Sequence, residues 1–158
     1  MAPHRVTRLF KAWSHIPAGR GTRKLWFIGG RRLNRYFVVM IGAAVGGVCR
    51  FVISTAIAER FAGRFPLPTF LVNITGSFGI GVLMTLLSDR FSNPYLRLLL
   101  VVGVLGGYTT FSSFEWETFT ATRDGAAWIG LAYVMASVCA GYIAVWLGAF
   151  LTRALLTR

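Results

Sequence analysis

Carboxylates are scarce in this chain: five Asp and Glu occur in 158 residues, and residues 1 to 58 contain none. Histidine is scarcer still, with His4 and His15 both near the N-terminus, so no metal site can be drawn from them. The two cysteines, Cys49 and Cys139, fall in separate apolar segments; they read as small packing residues and imply no disulfide framework. With no embedded His, no Cys pair and no nucleophile beside a base, an enzyme is the least supported class. No ATP-binding motif is present. The polar joints between the apolar runs are too short to hold a soluble domain.

Apolar residues dominate instead. The chain is 55% hydrophobic and 14% charged, with 13 Phe and 5 Trp, which is too apolar for an ordinary soluble domain of this size and places it in a membrane. A formal net charge of +12 would suggest nucleic acid or an anionic surface. Nine of the 17 Lys and Arg, however, lie in residues 1–35, so the charge belongs to a tail and no nucleic-acid partner is assigned. Two readings fit that basic extension, a disordered segment or one lying on anionic lipid headgroups, where each basic residue gains roughly 1 kcal/mol. Arg31 and Arg32 precede an apolar run as in a targeting segment, but that run carries Arg50 and reads as a mature membrane helix, so cleavage is not expected.

A hydrocarbon core about 30 Å thick takes around 20 helical residues per span. Four spans are predicted, at about Tyr36–Ile57, Leu67–Leu87, Tyr95–Ala121 and Ala127–Leu151, joined by "AERFAGRFP", "SDRFSNP" and "ATRDGA". Short joints make neighbouring helices antiparallel. The segments are too long for barrel strands and do not alternate. The expected fold is an all-α integral membrane protein with a four-helix domain over residues 36–153 and a short C-terminal tail, 154–158.

Gly42 and Gly46 form a GxxxG pair, joined by Gly47, of the kind that lets helix backbones approach in lipid. Thr69, Asn73, Ser77 and Gly81 recur every four residues and share one helical face, a polar stripe ill suited to lipid. Tyr133, Ser137 and Gly141 repeat the pattern more weakly; hydroxyls bonding the preceding turn and hydroxyls lining a pore explain it equally well. An amide without a partner in hydrocarbon costs several kcal/mol. Asn73 therefore reads either as interhelical glue or as a donor to an anion stripped of water. Arg50 lies ten residues from Arg60, about 15 Å along a helix, too deep to snorkel easily. Intramembrane arginines usually face a bundle interior or a water-filled cavity.

Within the third span, "GGYTTFSSFEWE" (106–117) weakens the helix, and the freed backbone groups are tolerated only where protein or trapped water covers them. Gly106 and Gly107 followed by Thr109, Thr110, Ser112 and Ser113 predict a broken helix within this stretch, and broken helices commonly build ion sites. Phe111 and Phe114 sit beside the break, where their positive ring edges suit a small hard anion. Glu115 and Glu117 read first as solvated helix-end carboxylates, with gating or donor orientation as the alternative.

"GAAVGGVCRF" (42–51), "TFLVNITGSFGIG" (69–81) and "GVLGGYTTFSSFEWE" (103–117) resemble the three signatures of the Fluc (CrcB-type) fluoride channel family, in order and one per helix. The match covers roughly residues 36–153, and the basic N-terminus departs from the compact family pattern. The resemblance implies a passive fluoride channel of a bacterial inner membrane, built as an antiparallel, dual-topology homodimer with two pores and a structural Na+ at its centre. It implies Asn73 as the pore asparagine, Phe111 and Phe114 as the phenylalanine box, Gly106 and Thr109 as backbone-carbonyl ligands of sodium, and Arg50 as the arginine of the first helix. Thr69 and Ser77 fall on the Asn73 stripe, and Tyr133 and Ser137 would belong to a polar track that Gly141 interrupts. Fluoride and membrane lipid are the expected partners.

Two rivals have distinct signatures. A small multidrug-resistance-like dimeric transporter is expected to carry an embedded carboxylate, whereas the first helix here offers Arg50. A non-transporting membrane scaffold leaves the Asn73 stripe and the broken third helix without a purpose. Dual topology requires nearly balanced Lys and Arg on the two sides. Arg90, Arg97, Arg153 and Arg158 face Arg60, Arg64 and Arg123, close to balance, until Arg20, Arg23, Lys24, Arg31, Arg32 and Arg35 make it ten against three. That excess suggests either translation from a later start or a heterodimer with an oppositely oriented homologue.

Overall fold

A computed structural model describes residues 31–89 and 93–157 of the protein. Among the described residues, four stretches are long and apolar enough to cross a membrane: Leu33–Ala58, Leu67–Ser88, Pro94–Arg123 and Ala127–Leu156. The chain is a multi-pass membrane protein. Its first helix, α1, is Arg31–Ala58, and α2 is Leu67–Asp89. The third span is divided. Its first arm, α3 (94–108), begins with Pro94–Leu96, continues as wide π-helical turns over Arg97–Leu105 and closes with Gly106–Tyr108. Its second arm, α4, is Phe111–Arg123, and α5 is Ala127–Leu156.

Local chemistry explains the ends. Asn93 caps α3, its Oδ1 accepting from the N–H groups of Tyr95 (2.9 Å) and Leu96 (3.4 Å). Pro94 follows at a position whose N–H would have no partner anyway. Thr110 caps α4 by accepting the Ser113 N–H at 3.3 Å. Gly125, with φ +80°, makes the tight turn into α5, a backbone region that side chains rarely occupy.

Two helix pairs carry the packing, α1 on α3 and α2 on α5, with α4 laid against α5. Both pairs close backbone to backbone. A Cβ on Gly42 would strike the Leu99 carbonyl, and one on Gly46 would strike the Val104 carbonyl; across α2 and α5, Gly81 and Gly148 meet the Val145 and Phe78 carbonyls in the same way. In lipid, where apolar burial gives helices no preference for each other, such close approach is the main source of association. The GxxxG reading of Gly42 and Gly46 holds.

The third span is broken as expected, and two helix ends differ from expectation. The break falls at Thr109–Thr110, whose φ/ψ of −80/155° and −147/115° are extended, while Gly106 and Gly107 stay helical. Gly107 instead packs against the Ala43 backbone of α1. Helix α5 runs to Leu156, absorbing part of the expected C-terminal tail, and α1 starts at Arg31, inside the expected N-terminal extension. The readings made for residues 1–30 lie outside the described residues.

Candidate functional site

The break puts two extended residues at membrane depth, and α2 satisfies the exposed peptide. Asn73 Oδ1 accepts the Thr110 N–H at 2.9 Å, and Asn73 Nδ2 donates to the Thr110 carbonyl at 3.1 Å. In a continued helix the Thr110 N–H would go to the Gly106 carbonyl, so the side chain of Asn73 releases that oxygen. Asn73 therefore acts as interhelical glue, with one hydrogen of Nδ2 bound to the break. The same residue also lines the adjacent cavity.

That cavity is about 420 Å³ and lies between α2, the two arms of the third span and α5. Asn73, Ser77, Phe111, Phe114 and Ser137 wall it, together with Gly106 and the break residues Thr109 and Thr110. Ser137 Oγ is buried without a hydrogen-bond partner among the described residues. A hydroxyl left so in an apolar bundle is costly unless something within the cavity binds it. Gly141 lies beside Ser77, and a Cβ there would meet Ser77 Oγ at an ordinary contact distance of 3.5 Å.

The two phenylalanines differ. Phe114 is 8% exposed and Phe111 73%, with their ring centroids 5.7 Å apart. Phe114 continues into a file of rings, 5.0 Å from Tyr133, which is 5.3 Å from Phe65 in the α1–α2 joint. Phe114 is thus held by packing, whereas Phe111 presents its ring at the open side of the cavity.

Thr69 and Tyr133 are not in this cavity's wall. They meet Glu117 instead: Thr69 Oγ1 donates to Oε1 at 2.6 Å and the Tyr133 hydroxyl to Oε2 at 2.8 Å. Glu117 is therefore no free helix-end carboxylate. It is half-buried, gripped by two hydroxyls and one turn beyond Phe114 on α4, while Glu115 is exposed. On its other side Glu117 helps wall a second cavity of about 410 Å³, with Arg64, Pro66, Thr120 and Asp124. Thr69 and Tyr133 thus anchor a carboxylate that lines this second cavity. Composition alone did not reveal it; the signal was present as Thr69 and Glu117 each lying one helical turn from a cavity residue, Asn73 and Phe114. Arg50, half-buried on α1, joins neither wall.

Carbonyls freed at a break, unpaired hydroxyls and exposed ring edges around a narrow space within four spans define a protein that passes or holds a small ion within the membrane. The chain belongs to the family described as CrcB-like protein, Camphor Resistance (CrcB), whose model matches residues 37–149. Among its relatives is a protein of Solibacter usitatus named fluoride-specific ion channel FluC, 54% identical over 120 residues that cover 75% of this chain and 98% of that one. Proteins of the same name from Chloroflexus aurantiacus and Aquifex aeolicus are 42% identical over 123 residues and 38% identical over 120, covering 77% and 75% of this chain and 97% of each relative.

Proposed function

We propose that this protein is a fluoride-selective channel, not an enzyme, that lets cytoplasmic fluoride leave a bacterial cell across the inner membrane. The observation that carries this is the cavity at the broken helix, where the Asn73 amide, the unpartnered Ser137 hydroxyl and the Phe111 ring edge converge in a chain whose relatives are named fluoride channels. Fluoride enters a cell as neutral hydrogen fluoride and ionises in a near-neutral interior. A negative-inside potential then drives the anion outward at about 2.3 kcal/mol per 100 mV, with no ATP step. Amide and hydroxyl donors and positive ring edges replace its hydration shell; each is weak enough to release the ion to the next.

The working unit is an antiparallel dimer, of two copies or of this chain with an oppositely oriented homologue. Phe111 is 73% exposed at the open side of the cavity, so a neighbouring chain is needed to close the wall. The apolar face of α1, with Phe51 70% and Val48 62% exposed, offers further contact area to that neighbour or to lipid. A structural Na+ fits the break: the Gly106 carbonyl is released by the Asn73–Thr110 pairing, and the Thr109 carbonyl belongs to the extended pair, giving oxygen donors of the kind hard cations take. Gly106 and Thr109 would hold the ion, which would neutralise carbonyl dipoles at membrane depth. Glu117 is an interior carboxylate, so it is the family relation rather than the lack of such a group that separates this chain from multidrug-resistance-like transporters.

Liposomes containing the full chain, loaded with potassium fluoride and treated with valinomycin, should release fluoride rapidly to an electrode and release chloride hardly at all. Equal leakage of both anions would sink the reading.

A further inference from the structure

The second cavity opens beside the α1–α2 joint and the α4–α5 turn, and its charges are not equivalent. Asp124 is engaged by Arg123 at 2.9 Å. Glu117 binds two hydroxyls, neutral donors that steady a carboxylate without cancelling its charge. Arg64 is exposed and forms no ion pair among the described residues. The wall of this space therefore carries a half-buried carboxylate held by neutral donors and one uncommitted guanidinium.

Glu117 lines this cavity and lies one turn from Phe114 on α4, so an anion passing between the two comes under its charge. A lone carboxylate there would thin the local anion concentration, because charges lining a cleft set the ion population at its mouth. An always-charged guanidinium on the same wall reverses that field. We infer that Arg64 is the residue that recruits the anion to this mouth, offsetting Glu117 at a distance rather than ligating fluoride. The inference rests on the channel reading, and it deepens it by assigning the entry step to a side chain outside the family signatures quoted above.

Fluoride flux is measured on the full chain in liposomes at subsaturating fluoride, with a bulky impermeant anion setting ionic strength. Screening lengths are about 30 Å at 0.01 M and 3 Å at 1 M, which separates a field effect from a contact. Arg64→Gln should lower flux roughly two- to fivefold at low salt, the scale of one unit charge a few ångströms away in water, and should match wild type at high salt. Arg64→Lys should keep wild-type flux. Arg60→Gln removes the same charge from the same joint but off the cavity wall, so it should leave flux unchanged and controls for altered membrane insertion. Unaltered flux in Arg64→Gln at low salt overturns the inference, as does a loss that persists at high salt or is shared by Arg60→Gln. In each of these cases wild-type conduction stands. A wild-type chain that passes no fluoride overturns the channel reading and this inference together.

Discussion

Asn73 and Thr110 are bound to each other twice, side-chain amide to main-chain peptide, across 37 residues of sequence. One side chain thereby closes the hydrogen-bonding account of a helix break and stands in the wall of the cavity beside it.

Replacement of Asn73 consequently tests two things at once. Asn73→Asp keeps an acceptor for the Thr110 N–H but sets a carboxylate oxygen against the Thr110 carbonyl and places a negative charge in the anion's path. Fluoride flux should vanish, and thermal unfolding in detergent should show a loss of about 1–3 kcal/mol, the cost of leaving a buried polar group unpaired. Asn73→Ala should show a similar stability loss. A fully stable Asn73→Asp protein would contradict the pairing.

The phenylalanines should separate in the same assays. Phe111→Ile removes an exposed ring with little lost packing, so flux should fall while the unfolding midpoint holds. Phe114→Ile also loses its contacts with Tyr133 and Phe111, each aromatic pair being worth about 0.5–1.5 kcal/mol beyond its buried area, so it should lose both flux and stability. Equal stability losses for the two variants would deny the division of labour.

Thr69 and Tyr133 should be energetically coupled although they do not bond each other, because both hold Glu117. In a double-mutant cycle of Thr69→Val and Tyr133→Phe, the stability changes should deviate from additivity by at least about 0.5 kcal/mol. Additive losses would show that the two hydroxyls hold Glu117 independently of each other.

Sodium dependence can be checked without any mutation. Purification with Na+ replaced by N-methylglucamine should lower the unfolding midpoint and the fluoride flux together, and added Na+ should restore both. Indifference to the exchange would remove Gly106 and Thr109 as its ligands.

Much of this architecture is legible in the sequence because lipid leaves few options: about 20 apolar residues must be a helix, and short joints force hairpins. The i, i+4 stripe placed Asn73 and Ser77 together correctly. It did not show that Thr69 meets Glu117, since a helical face says which side a residue occupies but not which neighbour arrives there. The exact place of the break within 106–113 was not legible for a different reason. Glycine serves both to unwind a helix and to admit a neighbouring backbone, and only the position of Ala43 on α1 shows that Gly107 does the second. Glu117 looked like a helix-end carboxylate because the hydroxyl of Tyr133, on the next helix, cannot be seen from composition.

The order of the two partners along the chain matters for biosynthesis. Chains are made N-terminus first, so Asn73 is already in the bilayer when Thr109 and Thr110 leave the ribosome. The unwound peptide never has to wait in hydrocarbon for its partner, a state that would cost several kcal/mol per group. With the two spans exchanged, the same residues would make the same finished contacts but would expose the break during insertion. The protein's vulnerable peptide is therefore guarded by the sequence of its manufacture as well as by its final packing.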